Sequence, residues 1–168
     1  MCDARDGLYS DAEGRFQVLL ERSAVERALT ASRAAGRKET GGVLIGQYED
    51  DGAVAIVAEA TASPRGSFFG AFTFRRAPAG LRSLLAERWS NGQHYLGEWH
   101  SHPGELPEPS GRDRETMVKI AADHRYACRE PLLLILGESP GGERLLTLHV
   151  FPRGQRALRL QASSTSRT

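Results

Sequence analysis

The stretch YLGEWHSHPGELPEPSGRD, residues 95–113, decides how this chain is organised. YLGEWHSH reads as a strand, and Pro103 with Gly104 stops it, because proline lacks the N–H that a sheet ladder needs. A proline-rich loop follows, after which Ser110 opens a helix whose inner face carries Met117, Ile120 and Ala121. Strand, loop and helix in succession predict a mixed α/β unit. Residues two apart on a strand share a face, so His100 and His102 project side by side while Trp99 and Ser101 point the other way. The chain holds five histidines, and two of them stand at this one strand end.

The flanking segments fit the same picture. FQVLL (16–20) is strand-like, and SAVERALTASRAAG (23–36) carries Val25, Ala28, Leu29 and Ser32 on one helical face. Ser23 and Glu26 have capping-box spacing, and Gly36 is placed to end that helix. GVLIGQYE and AVAIVAEA are rich in β-branched residues, with Asp50-Asp51-Gly52 as the turn of a hairpin between them. Pro78 opens a helix through Leu81, Leu84, Leu85 and Trp89 that ends at Asn91-Gly92. LLLILGE and RLLTLHVF are strands joined by SPGGE, a strong turn signal. SPRGSFFGAFTFRR (63–76) is strand-like only at Phe72 to Phe74. The expectation is a single domain over residues 15–161, of mixed α/β (α+β) class. Its central sheet is mostly antiparallel but mixed, and two or three helices flank it. Residues 1–14 and 162–168 carry few large apolar side chains and are expected to be irregular or flexible ends.

Composition narrows the function. Lys and Arg number 22 against 21 Asp and Glu, a net charge of +1 that speaks against a nucleic-acid groove or an anionic membrane as partner. Cys2 and Cys128 match no metal or redox spacing and read as free thiols of a reducing compartment. The polar start MCDARDGLYSDAEGRF has no apolar core of a secretory signal, and no run approaches the roughly 20 apolar residues of a membrane span. A cytoplasmic protein is expected.

The chemistry concentrates at the quoted stretch. His100 and His102 suit two ligands of one cation, and Asp113 in the first turn of a helix beside the strand end supplies a third. Two imidazoles and one carboxylate leave a tetrahedral Zn²⁺ with a position open for water, the pattern of a catalytic rather than a structural site. Each half has a plainer reading: Ser110-x-x-Asp113 is also a capping box, and a His-x-His pair is also polar surface. Together, at this spacing, they are expected by chance on the order of once in ten thousand chains of this composition.

HSHPGELPEPSGRD resembles the JAMM motif of the JAB/MPN metalloproteases, H-[ST]-H-x7-S-x-x-D, with no departure in spacing. ETGGVLIG (39–46) is similar to the segment that carries that family's catalytic glutamate. The likeness in element order spans roughly residues 15–150, and YLGEWHSHP looks most like the bacterial branch. Its members often accompany ubiquitin-like proteins with their activating and conjugating enzymes. The resemblance implies a cytidine-deaminase-like JAB/MPN fold with Zn²⁺ held by His100, His102 and Asp113. It implies Glu39 as the general acid/base acting on the zinc-bound water, and Ser110 as a hydrogen-bond donor to the oxyanion. Spacing alone does not choose Glu39 over Glu98, Glu105 or Glu108.

Three functions follow from the resemblance. The first is a deubiquitinase-like isopeptidase that cuts after the C-terminal glycine of a ubiquitin-like protein joined to a target. The second is a processing peptidase that matures a ubiquitin-like or sulfur-carrier precursor. The third is an inactive scaffold of the same fold. Addition of the extended tail as an extra strand is the natural recognition mode for the first two. Among the remaining residues, Glu98 shares the histidines' face and could orient an imidazole. His94, His124 and His149 lack a neighbour at ligand spacing and read as surface or core. Cys128 reads as a small buried thiol, Trp99 as core, and Phe68, Phe69, Phe72 and Phe74 as core or groove. Gly41 and Gly42 allow a close backbone approach beside Glu39.

Overall fold

The computed structural model describes residues 6–62 and 79–163. In chain order the elements are β1 (Gly7–Ser10), β2 (Gln17–Leu20), α1 (Arg22–Ala35), β3 (Gly41–Glu49) and β4 (Val54–Ala60). Then come α2 (Ala79–Ser90), β5 (His94–Ser101), α3 (Gly111–Ala122), β6 (Leu132–Glu138), β7 (Arg144–Val150) and β8 (Leu158–Ala162). The strands close into a barrel in the order β1-β2-β4-β3-β5-β6-β7-β8. Two neighbouring pairs, β2–β4 and β5–β6, are parallel, and the others are antiparallel. The architecture is thus the expected mixed α+β domain with three helices among the described residues.

Both faces of the central strands are buried, which explains why LLLILGE is a continuous apolar run. One cluster joins Leu44, Trp99, Leu134 and Leu148 to Ala24, Val25 and Ala28 of α1. The other joins Val43, Ile45, Leu133 and Ile135 to Met117 and Ile120 of α3. Burying a side chain of this size stabilises the fold by about 1.5–3 kcal/mol, so α3 is held firmly by its inner face. That matters because α3 begins at the candidate site.

Several local expectations change. Gly7–Ser10 falls in the stretch expected to be irregular, yet it forms β1, paired with β2 and, through Tyr9 and Ser10, with β8. Tyr9 is buried in the core, so one aromatic side chain anchors a segment that is otherwise polar. The Ser23–Glu26 capping box does not form, because α1 starts at Arg22 and puts Ser23 inside the helix. The Ser23 hydroxyl instead donates to Ala58 O at 3.0 Å, tying α1 to β4. Trp89 is 58% exposed rather than part of the helix's inner face. Every strand already has a neighbour on each side, so the described residues offer no outer strand to which an incoming tail could add. The phenylalanines at 68, 69, 72 and 74 lie outside the described residues. No helix among the described residues is long and apolar enough to cross a membrane.

Candidate metal centre and active site

The end of β5 sits between β3 and β6, with His100 opposite Gly41 on one side and Ile135 on the other. Beyond it, the chain is sewn back onto β6 and β7. His102 N–H donates to Leu136 O at 2.8 Å, and Glu138 N–H donates to Glu105 O at 2.7 Å. Thr147 Oγ1 donates to Pro107 O. Gly137 lies directly beneath this loop, and a Cβ there would stand 2.5 Å from Glu105 O and 2.6 Å from Pro107 N. Glycine lets the loop lie flat on the strand, and the flat loop delivers Ser110 back to the strand's end.

Both readings of Ser-x-x-Asp hold at once. Ser110 caps α3: its Oγ accepts Asp113 N–H at 3.1 Å, and Asp113 Oδ2 accepts the Ser110 N–H at 2.8 Å. Ser110 Oγ also donates to Asp113 Oδ2 at 2.7 Å. The cap therefore uses one carboxylate oxygen and leaves the other, Oδ1, facing His100 Nδ1 at 3.1 Å. His102 Nε2 lies 3.7 Å from Oδ2. One donor atom from each of His100, His102 and Asp113 falls within 4.8 Å of the others, a group able to hold a metal ion.

The electrostatics suit a cation. Burial alone would push the His100 pKa down, yet hydrogen bonds to Asp113 and Glu98 hold it up at about 9. For Asp113, burial opposes ionisation, but His100 and both donors of Ser110 hold its pKa well below the ordinary carboxylate value. A pocket that stabilises positive charge despite burial, lined by imidazole nitrogens and a carboxylate, fits Zn²⁺ or a related divalent ion.

Glu39 lines the same pocket, of about 620 Å³, together with Glu105, Leu106 and Arg112. The Glu39 carboxylate is exposed and makes no hydrogen bond among the described residues. Its segment is fixed by the residue between the histidines: Ser101 N–H donates to Thr40 O at 2.8 Å, and Ser101 Oγ accepts Thr40 N–H at 3.0 Å. Strand alternation alone points Ser101 away from the cation; the signal for this role is the serine or threonine that the motif carries between the histidines. Behind it, Trp99 Nε1–H donates to Thr61 O at 2.8 Å, and that carbonyl rests on Gly42, where a Cβ would lie 1.9 Å from it. The close approach expected at Gly41–Gly42 is realised at Gly42.

The other candidates fall elsewhere. Cys128 is buried, and burial raises its thiol pKa to about 11, which disfavours the thiolate a nucleophile needs. His149 is buried on β7, where burial and then Arg159 and Arg114 depress its pKa to about 4. Glu98 is fully buried, with Oε2 3.4 Å from His100 Nε2.

Comparison with known proteins agrees with this geometry. The profile of a family described as prokaryotic homologs of the JAB domain matches residues 21–149. A protein of Enterobacter hormaechei subsp. hoffmannii named CD-NTase/cGAS isopeptidase is 43% identical over 94% of this chain and 87% of its own length. A Pseudomonas aeruginosa protein of the same name is 33% identical over 60% of this chain and 64% of its own. In fold alone, the solution structure of a Desulfitobacterium hafniense protein superposes with a TM-score of 0.61 at 20% identity, covering 84% of this chain and 88% of that one. A match that takes in Glu39, both histidines and Asp113, beside a relative alike along nearly the whole length, makes this chain a member of the prokaryotic JAB family.

Proposed function

We propose that the protein is a zinc-dependent isopeptidase of the JAMM type. It hydrolyses the amide after the C-terminal glycine of a ubiquitin-like modifier joined to a target in the cytoplasm. The relatives' names favour a CD-NTase, or cGAS-like enzyme, as that target. The observation that carries the reading is the convergence of His100, His102 and Asp113 within 4.8 Å, in the pocket that Glu39 also lines.

A zinc ion, when bound, would supply Lewis acidity toward the scissile carbonyl and lower the pKa of a water to about 7. His100, His102 and Asp113 would hold it. Glu39, free of hydrogen bonds to described residues, takes a proton from the attacking water and hands it to the departing lysine amine. Ser110 serves the oxyanion by turning its hydroxyl away from Asp113, whose Oδ2 stays bound to the Ser110 N–H. Among the described residues no strand edge is free for the modifier's tail, and the side chains and loop backbone of the pocket are what it would meet there. The filled ligand set and the freely placed Glu39 favour catalysis over the scaffold reading.

The test is a CD-NTase joined through a lysine side chain to a ubiquitin-like protein, incubated with the enzyme and followed by mass spectrometry. Release of modifier ending in glycine and of unmodified lysine is expected. Loss by about 10²–10⁴-fold is expected in Glu39→Gln, and full loss with a chelator. Cleavage that survives both treatments overturns the mechanism. Cleavage only of a linear precursor favours the processing peptidase.

A further inference from the structure

We infer that Glu98 is a positioning residue for the metal centre, holding His100 by the ring nitrogen turned away from the cation. The inference rests on the metal-site part of the reading above and on no choice of substrate. His100 meets two carboxylates on opposite sides: Nδ1 lies 3.1 Å from Asp113 Oδ1, and Nε2 lies 3.4 Å from Glu98 Oε2. Asp113 belongs to the ligand group, whereas Glu98 stands behind the ring, wholly removed from solvent.

A buried carboxylate in an apolar cluster is costly unless something is gained by keeping it. Here the environment is poorly matched as well. Among the described residues, Glu98 Oε1 is buried without a hydrogen-bond partner, and so is the neighbouring Tyr95 hydroxyl. Each such orphan costs about 1–3 kcal/mol, and the sites where folds retain such groups are often functional. The backbone is also arranged to bring this cluster together. Strand alternation alone would set Tyr95 and Glu98 on opposite faces. The β3–β5 register slips between Leu44 and Ile45, so that Leu44 faces Gly97 and Ile45 faces Tyr95. Leu96 and Trp99 then share one core cluster while Tyr95 joins the face of α3. Gly97 makes the bulge possible, since a Cβ there would lie 1.9 Å from Leu132 O.

A histidine ligand donates to metal through one nitrogen only, and a partner on the other nitrogen fixes both its tautomer and its rotation. Glu98 accepts the N–H of that other nitrogen, which leaves the lone pair of the first directed at the ligand group.

Zinc affinity by chelator competition, on Glu98→Leu and Glu98→Gln, tests the inference. Glu98→Leu, similar in volume and unable to accept a hydrogen bond, is expected to weaken binding by about 10–100-fold. Glu98→Gln keeps an acceptor and is expected to restore most of it. The zinc-loaded wild type is expected to show a His100 imidazole N–H protected from solvent exchange in ¹H–¹⁵N spectra, a readout that requires no variant to fold. Unchanged affinity in Glu98→Leu, or a rapidly exchanging His100 N–H in the wild type, overturns the inference. Zinc binding that depends on Glu98 without hydrolysis would sink the isopeptidase reading alone, and hydrolysis indifferent to Glu98 would sink this one alone.

Discussion

His100 on β5 and His149 on β7 are both buried histidines of the same barrel, and they are pushed in opposite directions. His100 faces Asp113 and Glu98, and its pKa rises to about 9; His149 faces Arg159 and Arg114, and its pKa falls to about 4. Burial acts the same way on both, disfavouring the imidazolium, so the sign of the neighbours decides. The comparison teaches that two histidines indistinguishable by burial can be told apart by what surrounds them. One stands among carboxylates that favour positive charge; the other stands near arginines that disfavour it.

The sharpest way to break the contrast is to remove the carboxylate. Asp113→Ala takes one member from the ligand group and Oδ2 from the cap of α3. Zinc should be lost, and hydrolysis should fall on the order of 10³-fold or more, as when one member of a catalytic unit is deleted. The broken cap costs about 1 kcal/mol, and His100 also loses a buried charge partner, so some loss of stability should accompany the loss of zinc. Metal analysis and circular dichroism on one sample separate these effects. A variant that keeps zinc would remove Asp113 from the site.

The second prediction concerns His149 and stability. Its folded pKa of about 4 lies below the unfolded value of 6.5, so above pH 6.5 both states are neutral and the full stability is present. As pH falls from 6.5 toward 4, the unfolded chain takes up a proton that the folded chain refuses. Stability is lost over that window, by about 3 kcal/mol in total, and the loss then levels off. His149→Leu should remove this part of the acid sensitivity, read as the difference between the two proteins' denaturation curves at pH 7 and pH 4.5. Parallel loss in both proteins would show that His149 is not held neutral.

How much of this was legible beforehand follows from geometry. The convergence of His100, His102 and Asp113 was readable because strand alternation aims the histidines together and the cap places Asp113 at a helix entrance, all within one short segment. Barrel closure was not readable. β1 and β8 have four and five residues, and each contributes a single fully buried apolar side chain, Tyr9 and Leu160. So little apolar surface resembles a loose end until the opposite strand is seen. The bulge at Leu96–Gly97 is a property of two strands, and one strand's sequence does not reveal which face Tyr95 takes. The loop over Gly137 was equally hidden, because its partners on β6 and β7 lie far along the chain, Thr147 40 residues beyond Pro107.

A third change sharpens the description of the His100 side. Ser101→Ala leaves the ligand group intact but removes the acceptor for Thr40 N–H, the bond beside Glu39. A part-buried donor left unpaired costs about 1–3 kcal/mol. Some of that strain should appear as displacement of the Glu39 segment, lowering kcat about tenfold with zinc content and KM near normal. Ser101→Thr should restore kcat. An equal fall in zinc content would instead mean that Ser101 serves the histidines.

The smallest effect is expected on the His149 side. Arg159 is half exposed, pairs with Glu108 at 3.1 Å, and is the second cause of the depressed His149 pKa after burial. Arg159→Leu removes that repulsion but leaves the burial, so His149 should titrate only slightly higher, still below 6.5, in NMR followed through acid. Solvent weakens the action of an exposed charge, and the same reasoning limits the Arg159–Glu108 pair to well under about 1 kcal/mol of stability. If the His149 pKa returned to 6.5 in Arg159→Leu, the arginine rather than burial would be the principal cause. His149 would then differ from His100 only in the sign of one neighbour. A shift too small to detect would make burial sufficient on the β7 side and leave paired carboxylates as the feature peculiar to the metal centre.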